Sequence, residues 1–310
     1  MDEFKNKISI VTGSSSGIGK AVAESLVRKG AQVIMVSRDK PRGKSAYEEL
    51  RQLAVGSVEW IPTDMSSKVS IENMVNTFKS RHDKLDILFN CAGENIMKKE
   101  MTPEGFDRLF FTNYLSHFLL TNLLFEPLKN AASSKVITIS GSSHKAQHSD
   151  EGNFDAVMHF DDLQGNNHFS YAQYAKQYVL AKVLFTYELS RQWEMYGIAS
   201  TTLCPGLTRT HHTDTLPLPL RMLVPLIYFI RRNETQTPEE GAAHLIQLAR
   251  RDNEEINCKY FEGSKNGLLE AKSSKESYDL SEAKRLWEES IRLLKFPALT
   301  KKKSMCGFNT

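Results

Sequence analysis

The chain has little cysteine, little proline and no long uncharged apolar run, and each shortage removes a class of protein. Its four cysteines, Cys91, Cys204, Cys258 and Cys306, are scattered without the close pairs that a metal site or a disulfide framework needs. Free thiols and no structural metal are therefore expected. No stretch reaches the roughly 20 consecutive apolar residues that span a bilayer, and the most apolar region, Leu216 to Ile230, is short and broken by prolines. Met1 to Lys7 is polar and runs straight into an apolar segment, which leaves no room for a signal peptide and makes synthesis in the cytosol the expectation. Charge is nearly balanced, 40 Lys and Arg against 37 Asp and Glu, so nothing favours nucleic acid as a partner. Lys301-Lys302-Lys303 reads as part of a flexible, solvated tail over residues 296–310. What remains is 310 residues with 40% hydrophobic content, enough to bury one substantial core in a single domain, 1–310.

The chain is organised around Thr12-Gly13-Ser14-Ser15-Ser16-Gly17-Ile18-Gly19. This stretch joins a strand, Ile8 to Val11, to a helix from Gly19 towards Lys29 whose apolar stripe is Ala21, Val22, Ser25 and Leu26. Gly30 ends that helix before a second strand, Gln32 to Val36. Gly13 permits a tight turn, Gly17 lets the backbone approach a pyrophosphate, and Gly19 lets the helix pack on the sheet. The free N–H groups at the helix start favour phosphate. The motif predicts a dinucleotide site that takes in Ser15, Ser16 and Ile18.

Helical and strand-like runs then alternate. A helix over Lys44 to Leu53 precedes the strand Val58 to Pro62, and a helix over Ser67 to Arg81 precedes the strand Leu85 to Phe89. Long helices at Glu104 to Leu128 and Phe169 to Met195 lead to the strands Lys135 to Ser140 and Ala199 to Leu203. This alternation predicts an α/β fold, a doubly wound parallel sheet with helices on both faces. Ligands of such sheets bind outside the carboxyl ends of the strands, which gathers Thr12, Ser37, Asp64, Asn90, Gly141 and Pro205 around one crevice. Residues 207–237 interrupt the pattern with Leu216-Pro217-Leu218-Pro219-Leu220 and the run to Ile230, and are expected to form a substrate lid. His211-His212 in that lid is open to two readings, an acid or an exposed loop pair.

The spacing Thr-Gly-x-x-x-Gly-x-Gly resembles the short-chain dehydrogenase/reductase family. Asp64-Met65, Asn90-Cys91-Ala92-Gly93, Asn113 and Cys204-Pro205-Gly206 follow in that family's order. Phe160 to Gln164, Leu184 to Leu189 and Leu286 to Ser290 are most similar to its retinol-dehydrogenase-like branch. The resemblance implies a Rossmann fold, a nicotinamide cofactor and hydride transfer. It also places Asp64 on the adenine amino group with Met65 beside it, and Asn90, Ala92, Gly93, Pro205 and Gly206 against the cofactor. Asn113 matches the helix asparagine that holds a water of the family's proton relay. At the end of the second strand, Ser37-Arg38 stands where a carboxylate would bind an unmodified ribose, and a guanidinium can pair a 2′-phosphate instead. NADP(H) is therefore expected, with a solvated loop of Arg38, Asp39, Lys40 and Arg42 as the alternative.

In the family a Ser orients the carbonyl, a Tyr transfers the proton, and a Lys four residues on supports the Tyr. All three positions are irregular here. Ungapped matching puts Gly141 in the Ser position, beside Ser142, with Ala175 in the Tyr position and Val179 in the Lys position. Three residues later, Tyr178 and Lys182 have the required spacing, although three residues along a helix mean a shift of roughly 4.5 Å and a turn of about 60°. Two readings stay open. An insertion before Tyr178 would restore the pair, with Tyr178, Lys182, Asn113 and Ser142 catalytic and Lys182 lowering the Tyr178 pKa. Otherwise the triad has decayed, leaving a cofactor-binding, regulatory or non-redox protein in which Tyr171, Tyr174 and Tyr178 pack. The leading expectation is an NADP(H)-dependent oxidoreductase for the carbonyl or alcohol of a lipophilic, retinoid-, steroid- or lipid-like molecule. It would be cytoplasmic with scope for peripheral membrane contact through the lid, and a monomer or a homodimer.

Overall fold

A computed structural model describes residues 3–38, 40–53, 55–145, 156–209 and 218–296, with backbone alone at 218–220 and 227. β1 (Ile8–Thr12), α1 (Gly17–Arg28), β2 (Gln32–Ser37), α2 (Pro41–Arg51), β3 (Ser57–Pro62), α3 (Lys68–Lys79) and β4 (Ile87–Asn90) alternate as the sequence predicts. The next crossover is not one helix. Gly105, at φ +83°, holds a turn, and Asp107 then caps α4 (Arg108–Phe110) by accepting the Phe110 N–H at 2.8 Å. A π-helical turn (Phe111–Leu115) follows, then α5 (Ser116–Leu123) and α6 (Phe125–Asn130), leading to β5 (Ser134–Ile139). After α7 (Tyr171–Trp193) come β6 (Ile198–Cys204), α8 (Leu218–Ile230), α9 (Pro238–Arg250) and α10 (Asn253–Ile256). The chain closes with β7 (Lys259–Ser264), β8 (Gly267–Ala271) and α11 (Leu280–Leu294).

The strands form one sheet in the order β3-β2-β1-β4-β5-β6-β7-β8, parallel throughout except for β8. The order reverses between β1 and β4, which pair from Ser9↔Ile87 to Val11↔Phe89, and that switch point is where such sheets bind ligands. β7 and β8 lie beyond the sequence reading. They form a hairpin whose two-residue loop, Lys265-Asn266, closes Ser264 on Gly267, and Gly267 opens β8 at φ +119°.

Two apolar layers cover the sheet. On one face Met74 and Phe78 of α3, Phe118 of α5, Leu184 and Phe185 of α7 and Trp287 of α11 are buried together; on the other, Val22 and Leu26 of α1 meet Leu245 and Leu248 of α9. Trp287 stands edge-on to Phe118 at 4.8 Å and stacks on Phe185 at 5.9 Å, so α11 is anchored to α5 and α7.

Candidate active site

The loop after β1 is built for close approach. Gly13 has φ +68°, and a side chain there would place its Cβ 3.0 Å from the Ala92 Cα. At Gly19 a Cβ would lie 2.5 Å from the Gly13 carbonyl oxygen. Thr12 ties the loop to the end of β4, its Oγ1 accepting from the N–H groups of Cys91 at 2.9 Å and Ala92 at 3.0 Å. Ser16, the cap of α1, is extended and makes no side-chain capping bond, and no acidic residue occupies the helix's first turn. The N–H groups there are left to an anion, so this cradle fits a dinucleotide phosphate. Ser15 and Ser16 are partly exposed beside it, while Ile18 and Gly19 are buried.

Most of the other sequence-predicted residues lie at or just beyond the carboxyl ends of the strands. Arg38, 41% exposed, pairs with Glu94 at 2.8 Å, and Glu94 also holds Arg108 at 2.8 Å. Ser37 accepts the Trp60 indole N–H at 3.1 Å. Asp64 Oδ1 accepts the N–H and hydroxyl of Ser66 at 2.9 and 2.7 Å, a local turn bond, above the buried Met65. Asn90 donates to the hydroxyls of Thr121 and Thr138, and its Oδ1 is buried without a partner among the described residues. Gly93 lies where a Cβ would be 2.9 Å from Asn113 Oδ1. Asn113, in the π-helical turn, accepts the Glu94 N–H at 3.1 Å and donates to the carbonyls of Glu94 and Leu109, both at 2.9 Å. Gly206, at φ +77°, follows Pro205, whose carbonyl accepts from Gln236 at 2.7 Å. Asp39, His211 and His212 lie outside the described residues.

β5 and α7 meet where the sequence places the proton-transfer positions. Gly141 faces Val179, whose two methyls lie 3.8 Å from where a Gly141 Cβ would be, and Ser140 donates to the Val179 carbonyl at 3.2 Å. α7 is continuous from Tyr171 to Trp193, with Tyr178 and Lys182 three residues beyond Ala175 and Val179. Lys182 instead sits one turn deeper, 6% exposed, donating to the Ile139 carbonyl at 3.1 Å. Side chains on a helix lean towards its N-terminus, here towards the crevice.

The Lys182 ammonium lies over the Tyr178 ring, 5.6 Å from its centroid. Burial lowers Lys182 to about 8, with Cys91 opposing. Burial also pushes the Tyr178 phenol up, and Tyr171 adds to this. The expected lowering of Tyr178 by Lys182 is therefore corrected, because the cation meets the ring face and desolvation dominates. Tyr171 donates to Asn95 Oδ1 at 2.9 Å and Tyr174 to the Asp162 carbonyl at 2.8 Å, so both phenols tie down loops.

Ser142 is exposed beside the Cys204 thiol. His144 is buried, donates to the Gly141 carbonyl at 2.8 Å, and is driven by burial to about 4, hence neutral. Sequence reasoning missed Glu94, which couples Arg38 to Arg108, and His117, a buried imidazole hidden in the apolar stripe of α5.

Comparison with known proteins shows the family. Residues 7–153 match the short chain dehydrogenase family. Retinol dehydrogenase 14 of Homo sapiens is 33% identical over 299 residues, covering 92% of this chain and 85% of that protein. The chain belongs to the short-chain dehydrogenase family. As a member of its retinol-dehydrogenase-like branch it is an oxidoreductase. Polyprenol dehydrogenase of Homo sapiens is 31% identical over 297 residues, with coverage of 93% and 85%. A crystal structure of an uncharacterized protein from Mycobacterium paratuberculosis superposes with a TM-score of 0.74 at 26% identity, covering 95% of this chain and 96% of that one.

Proposed function

We propose that this short-chain dehydrogenase uses NADP(H) and acts on the carbonyl or alcohol of a lipophilic molecule. The reading is carried by the Lys182 ammonium, buried at the carboxyl end of β5 against the Ile139 carbonyl and the Tyr178 ring. When bound, the cofactor supplies or accepts the hydride. The cradle of Gly13, Ser15, Ser16, Gly17, Ile18 and Gly19 would hold its phosphates, and Arg38, with five N–H donors of which Glu94 engages some, supports a 2′-phosphate. In the reductive direction Tyr178, kept as a phenol by burial, gives its hydroxyl proton to the carbonyl oxygen, and Lys182 replaces that proton. In the oxidative direction the same two protons move back. Ser142 orients the oxygen, and Asn113 fixes the Glu94 backbone at the crevice wall.

The apolar substrate is supported by the retinol and polyprenol named for the relatives and by α8 in the lid. On α8, Met222, Phe229 and Ile230 are 71%, 63% and 70% exposed, between Arg221 on one side and Arg231 and Arg232 on the other. An apolar stripe framed by cations suits peripheral contact with an anionic lipid surface of a cytoplasmic membrane face. No helix among the described residues is long and apolar enough to cross a membrane. Calorimetric titration with NADPH and NADH, with and without lipophilic alcohols, tests the reading. NADPH binding that strengthens uptake of a lipophilic alcohol is expected, and absence of binding to either cofactor contradicts it.

A further inference from the structure

His117 of α5 is fully buried with the Ala92 backbone beside its ring, and neither ring nitrogen has a well-formed hydrogen bond among the described residues. Buried polar atoms are rarely left this way, and an enclosed polar spot is where proteins keep an ordered water. Neighbours along α5 fix where the ring lies. One turn further on, Thr121 takes a hydrogen bond from the Asn90 amide at 3.3 Å; one turn earlier, Asn113 grips the Glu94 backbone. His117 stands between these levels, with the Ala92 backbone beside its ring. Across that segment, Asn90 pairs with Thr138 of β5, so Cys91 lies next to Ile139, whose carbonyl receives the Lys182 ammonium at 3.1 Å. Three elements thus bring His117, Cys91 and Lys182 around one buried point.

Electrostatics agrees with that placement. Burial drives the His117 ring well below its ordinary value, and the Lys182 ammonium works in the same direction against the Ala92 backbone. The ring is therefore neutral and offers one acceptor nitrogen. Lys182 has three N–H donors, and the Ile139 carbonyl takes one. Among the described residues its other titratable neighbours supply no anion: Tyr178 meets it with a ring face, and burial pushes the Cys91 thiol up to about 12. The Asn113 side chain is engaged at both ends, its amide protons going to the Glu94 and Leu109 carbonyls and its Oδ1 accepting the Glu94 N–H.

We infer that His117 is a positioning residue for Lys182: a buried water donates to its free ring nitrogen and accepts a second hydrogen bond from the ammonium. The water keeps Lys182 protonated and aimed at Tyr178. This rests on Lys182 being the working cation of the proposed site, but its test reads the amine directly.

Protein grown on lysine carrying ¹³C at Cε allows the Lys182 signal, assigned with Lys182→Met, to be titrated by NMR. In His117→Phe the charged amine loses an acceptor, and its midpoint falls by at least about one pH unit, tenfold in the acid constant. In His117→Gln, which still holds a water, the midpoint stays near that of the parent. In the unmodified protein, the ¹⁵N signals of the His117 ring shift through the Lys182 titration and not around pH 6.5, a readout independent of how either variant folds. An unmoved Lys182 midpoint in folded His117→Phe, or His117 signals indifferent to the Lys182 titration, overturns the inference. Neither readout uses NADP(H) or substrate, so its failure and that of the proposed reaction are told apart.

Discussion

On the proposed NADP(H) assignment, removing the Arg38 guanidinium should separate the two cofactors. Arg38 lies at the end of β2, where its partner in the structure is the Glu94 carboxylate at 2.8 Å. A 2′-phosphate must share this guanidinium with Glu94. A hydrogen bond to a charged group contributes about 1.5–3 kcal/mol when well shielded. Arg38 is 41% exposed, and screening reduces this to about 1–2 kcal/mol, roughly 5- to 30-fold in Kd. Arg38→Ala should therefore weaken NADPH by that factor and leave NADH within about twofold. Glu94→Gln keeps an oxygen acceptor but removes the charge that competes with phosphate, so NADPH should tighten several-fold without a matching gain for NADH. Calorimetric titration of both cofactors to both variants, at low and high salt, measures this. The low-salt difference should shrink at high salt. Equal changes for NADPH and NADH in Arg38→Ala, or none, would refute the reasoning.

Three further outcomes follow from the same geometry. Gly13→Ala forces a side chain into φ +68° with its Cβ 3.0 Å from the Ala92 backbone, so it should lose about 1–2 kcal/mol of stability and most of its cofactor affinity. Unfolding and binding measured on one sample check this, and unchanged binding would show that the cradle is not where the cofactor sits. Trp287→Ala should cost about 3–5 kcal/mol in urea unfolding, because the ring is buried against Phe118 and Phe185, and a loss below about 1 kcal/mol would mean that α11 is not anchored there. His144 is held near 4 when folded, so the unfolded chain takes up the proton first. Stability from this group is complete above about pH 6.5 and is lost as pH falls towards 4, on the order of 3 kcal/mol. Buried His117 acts in the same direction. Unfolding curves at pH 7, 5 and 4 should show the drop, and His144→Gln should flatten it.

Local chemistry was legible in the sequence. The spacing of Gly13, Gly17 and Gly19 between an apolar strand and an amphipathic helix announces the cradle, because each glycine answers a steric demand within a few residues. The β-α alternation likewise implied the parallel sheet. The π-helical turn at Phe111–Leu115 was not legible, since one widened turn does not disturb the apolar spacing of a helix. β7 and β8 were passed over, although Asn266-Gly267 between apolar runs is a hairpin signal. Three-dimensional facts needed the fold: Glu94 bridges Arg38 and Arg108 from distant parts of the chain, and the contacts of Gly141 and Ser140 with Val179 and of Lys182 with Ile139 show how α7 meets the end of β5. The Tyr178 shift also escaped, because spacing reveals that Lys182 is near but not that it meets the ring face.

The role of Tyr178 and Lys182 is tested most directly by turnover of a panel of retinoid, steroid and polyprenoid alcohols and aldehydes with NADP(H). The parent protein is compared with Tyr178→Phe and Lys182→Met after cofactor binding by each has been verified. Loss of at least about 10²-fold in kcat in both variants, with NADPH affinity retained in Tyr178→Phe, is the predicted result. Full turnover by Tyr178→Phe, or cofactor binding by the parent without turnover of any panel member, would contradict it.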